Sequence, residues 1–123
     1  MAGASTDLHE RAETLSDSAI DLHRALVSLQ EELEAVDWYH QRSISTSDPE
    51  LAAILAHHRD EEKEHAVMLL EWIRRHDPKF DEHLHTYLFT EEAITEVERE
   101  AEHGDGSPSA GSLQLGSLRG EEL

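Results

Sequence analysis

Between Thr14 and about Arg42, Leu15, Ala19, Leu22, Leu26, Leu29, Leu33 and Val36 recur at alternating steps of four and three. Such steps return to one side of an α-helix, so they predict one long helix with a single apolar seam. The pattern breaks at Ser43–Ser47 and resumes after Asp48-Pro49-Glu50. Ser47 or Asp48 can accept from the orphan amides of a first helical turn, and proline fits there because its missing N–H has no intrahelical acceptor. A second helix is therefore predicted from Pro49 to about His76, since Pro78 turns Asp77 away from helical geometry. A shorter helix over Asp81–Phe89 carries Leu84, Leu88 and Phe89 on one side. Thr90 then opens a last one over Glu91–His103, whose apolar face is only Ala93, Ile94 and Val97. The expected class is all-α, an antiparallel two-helix hairpin plus a short C-terminal helix.

Residues 1–13 read as a flexible N-terminus and 14–103 as the helical domain. Gly104-Asp105-Gly106-Ser107-Pro108-Ser109-Ala110-Gly111 has the composition of a flexible linker over 104–111, leaving 112–123 as a separate tail. With 123 residues, 37% apolar and 31% charged, the chain has little material for a private core and is expected to bury its seams against other copies. Its 28 acidic and 10 basic residues give a formal charge of -18, which repels nucleic acid and anionic membrane and concentrates cations. No cysteine is present, so a bound metal would be held by oxygen and imidazole nitrogen, a set that suits iron or manganese. The N-terminus has no basic region followed by an apolar one, and no stretch approaches a membrane span, so a cytoplasmic location is expected.

The second helix departs from a simple seam. Continuing the four-three steps from Leu51 gives Leu51, Leu55, His58, Glu62, His65, Leu69 and Trp72, which is polar in its middle. A carboxylate in a helix contact is disfavoured unless it is paired or binds a metal. Glu32 flanks the seam of the first helix roughly 15 Å before Arg42, and Glu62 lies roughly 20 Å after Pro49, at 1.5 Å per residue. In an antiparallel hairpin the two acids come to similar height. Glu62 and His65, three apart, share a face of the second helix. Glu82–His85 and Glu100–His103 repeat the spacing on weakly apolar segments, so placement rather than spacing singles out Glu62–His65. A solvated coiled-coil face is the alternative. A carboxylate-bridged di-iron bundle takes one Glu from each of two helices and Glu-x-x-His from each of two others. One hairpin supplies half, so a second copy across a two-fold axis is expected to complete a site with two irons per subunit pair.

Three stretches, Glu31-Glu32-Leu33-Glu34-Ala35-Val36-Asp37-Trp38-Tyr39, His57-His58-Arg59-Asp60-Glu61-Glu62-Lys63-Glu64-His65 and Thr86-Tyr87-Leu88-Phe89, resemble the encapsulated ferritins over about residues 15–95. The resemblance implies a ferritin-like four-helix bundle formed by dimerisation, an annular decamer, and a ferroxidase that delivers iron for mineralisation inside an encapsulin shell. It implies Glu32, Glu62 and His65 as ferroxidase ligands and Tyr39 as an aromatic beside the centre. Tyr39 shares the stripe of Glu32 and could equally be a packing residue. The stripes Glu31/Glu34/Trp38 and His57/Glu61/Glu64 resemble the family's accessory metal positions for divalent cations such as calcium, though acidic stripes are also what a solvated face looks like. His58 reads as an interface histidine and Trp72 as packing. In the tail, Leu113, Leu115, Gly116, Ser117 and Leu118 resemble an encapsulin cargo-loading peptide, with spaced leucines as anchors. The alternative to the enzyme is a non-catalytic cargo protein that binds divalent cations.

Overall fold

The computed structural model describes residues 7–103. A short 3-10 turn at Ala12–Thr14 precedes four helices: α1 (Asp17–Ser45), α2 (Pro49–His76), α3 (Pro78–Tyr87) and α4 (Ile94–His103). Among the described residues there is no strand, and no helix is long and apolar enough to cross a membrane. Among the described residues the chain divides into two compact units, which part between Pro78 and Lys79.

In the first unit, α1 and α2 form the expected hairpin. α1 begins at Asp17 rather than Thr14, because Ser16 caps it by accepting from the Ala19 amide at 3.1 Å. It runs on to Ser45 rather than stopping near Arg42. The Ser43 hydroxyl donates to the His40 carbonyl at 2.8 Å, which lets a serine sit in the last turns of a helix. The turn that follows is short and fully capped. Thr46 Oγ1 accepts from the Asp48 amide, and Asp48 Oδ1 accepts from the amides of Glu50 and Leu51, with Pro49 in the first turn. α2 then ends where Asp77 becomes extended before Pro78. Tyr39 meets His58, and Glu32, seven residues earlier on α1, meets His65, seven residues later on α2, so the two helices are antiparallel.

The contact keeps Leu22, Leu29 and Val36 of the expected α1 seam and Leu55, Glu62 and Leu69 of the α2 seam, and Leu26 and Trp72 are also partly covered. The most deeply buried residues, however, Ala25, Ala66 and Ile73, lie one position from Leu26, His65 and Trp72. One covered row on α1 is Leu22, Ala25, Leu29, Glu32, Val36 and Tyr39. One on α2 is Ala52, Leu55, Arg59, Glu62, Ala66, Leu69 and Ile73. Both keep the four-three rhythm. The buried alanines at 25 and 66 allow the helices to approach closely, and interaxial distance follows the side chains at the contact. Larger residues are thereby turned to the flanks: Leu33 is 55% exposed, Val67 and Met68 are each 63% exposed, and Leu51, His58 and His65 are also exposed.

The second unit holds most of α3, and α4. α3 starts at Pro78 rather than Asp81, because the proline that ends one helix is well placed as the first residue of the next. It ends at Tyr87, and Phe89 takes a left-handed φ of 62° with its side chain fully exposed. Thr90 donates to the Tyr87 carbonyl, closing α3 instead of opening α4, so α4 begins only at Ile94. Val97 is its buried residue.

Two outcomes follow from the first unit. Ile73 is completely covered, and Ile73→Ala should cost about 2–5 kcal/mol of stability, read from urea unfolding. Glu71 accepts from Arg74 at 2.8 Å and Arg75 at 2.7 Å, and these guanidinium groups hold its carboxyl down from the usual 4.5 to about 2. A carboxylate lowered on folding stabilises the fold above pH 4.5 and loses that contribution as pH falls toward 2. Glu71→Gln should therefore melt slightly below the parent at pH 6 and converge with it near pH 2.

Candidate metal centre

Glu32 is brought to the level of Glu62 by the length of the hairpin arms, and both acids occupy seam positions that are half-buried. His65 follows Glu62 by one turn and leans back over the same gap. Its Nδ1 donates to Glu62 Oε1 at 3.0 Å and stands 3.7 Å from Glu32 Oε1. One ligand atom from each of the three lies within 4.8 Å of the others, the one such metal-competent group of three among the described residues.

The electrostatics of this trio are those of like charges held close. Glu32 is pushed up from its usual value first by the hydrogen bond it shares with Glu62, then by burial and by repulsion from Glu62. Glu62 is pushed down by the same hydrogen bond and then by His65. Of the two acids, Glu32 is the one that holds a proton more readily. His65 is raised, chiefly by its hydrogen bond to Glu62 and then by the charges of the surrounding acids. Positive charge is thus favoured at the place where the three side chains converge. A divalent cation would supply that charge and displace bound protons, and two carboxylates with one imidazole are a donor set that suits iron or manganese. The side chains of Glu32 and Glu62 are about a quarter exposed and that of His65 about half, so the hairpin covers the trio from one side only.

The remaining candidates fall elsewhere. Tyr39 lies two turns beyond Glu32, about 10 Å along the helix. Its ring meets His58 edge-on, with centroids 5.2 Å apart, and the Arg42 guanidinium lies 5.5 Å from its centre. Glu31, Glu34 and Trp38 are exposed on α1, and His57, Glu61 and Glu64 are exposed on α2. Within this chain neither stripe gathers three ligand atoms among the described residues; His57 and Glu61 approach to 4.0 Å. The competing Glu82–His85 spacing is not used as a pair, since Glu82 accepts from Lys79 and His85 turns to Asp81. Leu113, Leu115, Gly116, Ser117 and Leu118 lie outside the described residues.

Sequence reasoning missed Arg59. It sits in the seam between Leu55 and Glu62, paired with Asp60 at 3.0 Å, and its Nη1 is 3.2 Å from His40 Nδ1. Arginine can only donate, so His40 Nδ1 accepts and the imidazole proton lies on Nε2. A seam drawn through Ala52 and Ala66 instead of Leu51 and His65 would have found it.

Comparison with known proteins agrees with this picture. The profile of the EncFtn-like family matches residues 7–91. An encapsulated ferritin-like protein of Rhodospirillum rubrum is 54% identical over 131 residues, covering 98% of this chain and 94% of its own. A ferritin-like protein of Thermotoga maritima is 55% identical over 110 residues, covering 89% of this chain and 96% of its own. A crystal structure of a Nitrosomonas europaea protein superposes with a TM-score of 0.69 at 62% identity, over 71% of this chain and 96% of that one. With most of its helical region inside the family profile and more than half of the aligned residues identical in both relatives, the chain belongs to the EncFtn-like family.

Proposed function

We propose that this protein is a ferroxidase, oxidising Fe(II) to Fe(III) at a di-iron site shared by two copies and releasing the product for mineralisation inside an encapsulin shell. The observation that carries the reading is the convergence of Glu32, Glu62 and His65 at the middle of a helix seam. A second hairpin across a two-fold axis doubles the set to four carboxylates and two imidazoles around two irons, the complement of a carboxylate-bridged bundle.

Iron is the substrate. The carboxylates neutralise the incoming Fe(II) ions and accommodate the rise in charge on oxidation, while each His65 fixes geometry through one nitrogen. Each iron gives up one electron, and dioxygen accepts the pair together with two protons and leaves as hydrogen peroxide. The half-exposed side of the trio is the side on which the second copy closes, and continued association makes an annular decamer. Tyr39 offers its hydroxyl to the ligand set or to the oxidant. The stripes Glu31/Glu34/Trp38 and His57/Glu61/Glu64 attract and stage divalent cations, calcium among them, on the way to the centre. The Rhodospirillum rubrum relative is named as encapsulated, which supports residence within a shell, here an encapsulin compartment of the cytoplasm, and the 112–123 segment, with Leu113, Leu115 and Leu118 as anchors, is the part that engages the shell protein.

Glu32→Ala, Glu62→Ala and His65→Ala should each slow aerobic Fe(II) oxidation tenfold or more, since even changes to the supporting partners of metal ligands cost roughly that much. Ferric absorbance after anaerobic iron loading and admission of oxygen is the measurement, with assembly checked by size-exclusion chromatography. Undiminished oxidation in all three assembled variants would leave only a cation-binding cargo protein. Removal of residues 112–123 should spare oxidation and abolish loading into a co-expressed shell; continued loading would move the targeting segment elsewhere.

A further inference from the structure

The layer of side chains next to the carboxylate trio is built around Tyr39. Its ring is half-buried in the seam and held from two directions, by the imidazole of His58 edge-on at 77° and by the guanidinium of Arg42. Edge-to-face contact sets the positive rim of one ring against the negative face of the other, and a cation over a phenol ring is attracted by the same quadrupole. Among the described residues the Tyr39 hydroxyl has no hydrogen-bond partner. A phenylalanine would satisfy these packing contacts equally well, so the hydroxyl is available to something outside the chain.

We infer that His58 is a positioning residue for Tyr39, fixing where the phenol hydroxyl stands in the layer adjoining Glu32, Glu62 and His65. The role in oxidation rests on the ferroxidase reading; the contact itself does not. Three further observations support the assignment. His58 and Tyr39 lie on opposite helices, so their contact ties the hydroxyl to the height of α2, which carries two of the three ligands. The neighbouring pair, His40 with Arg59, locks the same level of the hairpin and leaves the Tyr39–His58 contact little freedom to slide. His58 precedes Glu62 by one helical turn, about 6 Å of rise, and among the groups that lower Glu62 it contributes after Glu32 and His65. The imidazole therefore stands in the layer of the phenol, one turn of α2 from Glu62.

The test uses the full chain. Its two tyrosines, Tyr39 and Tyr87, give two fluorine resonances when the protein is made with 3-fluorotyrosine, and Tyr39→Phe assigns them. His58→Ala should move the Tyr39 resonance and leave that of Tyr87, and His58→Phe, which keeps an aromatic ring, should restore it. In unlabelled protein, His58→Ala should slow aerobic Fe(II) oxidation about tenfold, as loss of an outer-shell partner does. His58→Phe should recover most of the rate, and His58→Ala should cost nothing further in a Tyr39→Phe background. An unmoved Tyr39 resonance overturns the inference, as does an equal slowing with and without the Tyr39 hydroxyl, which is what general loosening would give. Failure of the unsubstituted protein to oxidise iron would count against the ferroxidase reading alone, and the fluorine shift would still decide the role of His58.

Discussion

Two carboxylates meeting inside a helix contact are the constraint around which the hairpin is organised. Glu32 and Glu62 are close enough to share a proton, and a pair of acids at that separation cannot both ionise without a large electrostatic cost. The chain answers by making Glu32 the acid that takes a proton more readily and by turning the Nδ1 of His65 toward both acids. Neither answer is a packing solution. Leucine at both seam positions would remove the repulsion outright, and buried ionic groups are commonly less stable than apolar replacements of similar volume. The acids make sense as a place for positive charge, and the arrangement holds that place open at modest expense because the trio is only partly withdrawn from water.

Bringing the acids to one level depends on features far from them. The turn between the long helices is short, and its amides are taken up by Thr46 and Asp48, which leaves little slack in where α2 begins. From there the rise per residue carries Glu62 up to the height of Glu32. Ala25 and Ala66 set how closely the helices approach and how each is rotated about its axis. A bulkier side chain at either would turn the acids out of the contact. The pair of His40 with Arg59 fixes the register at the level between the turn and the metal-competent trio.

The hairpin, its turn and the three convergent residues were legible in the sequence because each rests on local chemistry: a four-three rhythm, an Asp-Pro cap, and a Glu and His one turn apart. What the sequence hid was decided by size and by competition among hydrogen bonds. Leucines dominate a hydrophobicity pattern, so the seam was drawn through Leu26 and Leu33, whereas the close contact goes to the small Ala25 and to Glu32. The same preference conceals Arg59, which lies in the covered row between Leu55 and Glu62. Thr90 has the chemistry of a helix cap but spends its hydroxyl on the carbonyl of Tyr87 behind it. Pro78 was read only as a stop, although the same ring geometry starts α3. Which acidic stripes gather ligands from more than one chain is a property of an assembly, and one chain's periodicity carries no record of it.

Under the proposed reading, the flanking residues and the half-covered trio are parts of one balance. The hairpin leaves Leu33, Leu51, Ile54, Val67 and Met68 substantially exposed, and its two acids keep about a quarter of their side chains open. Association of two such faces gains roughly 25 cal/mol for each Å² of apolar surface withdrawn from water. It also brings four carboxylates together, which opposes the same step. Without cations, protons must neutralise part of that charge, and the apolar gain is offset by the loss of hydration around the acids. With two Fe(II) ions the four negative charges are matched, the opposition falls away, and the apolar contact proceeds. Since iron then binds the associated form better than the single chain, association must by the same free energy strengthen the binding of iron. A ligand set divided between copies in this way makes the oxidising centre conditional on both the metal and the partner.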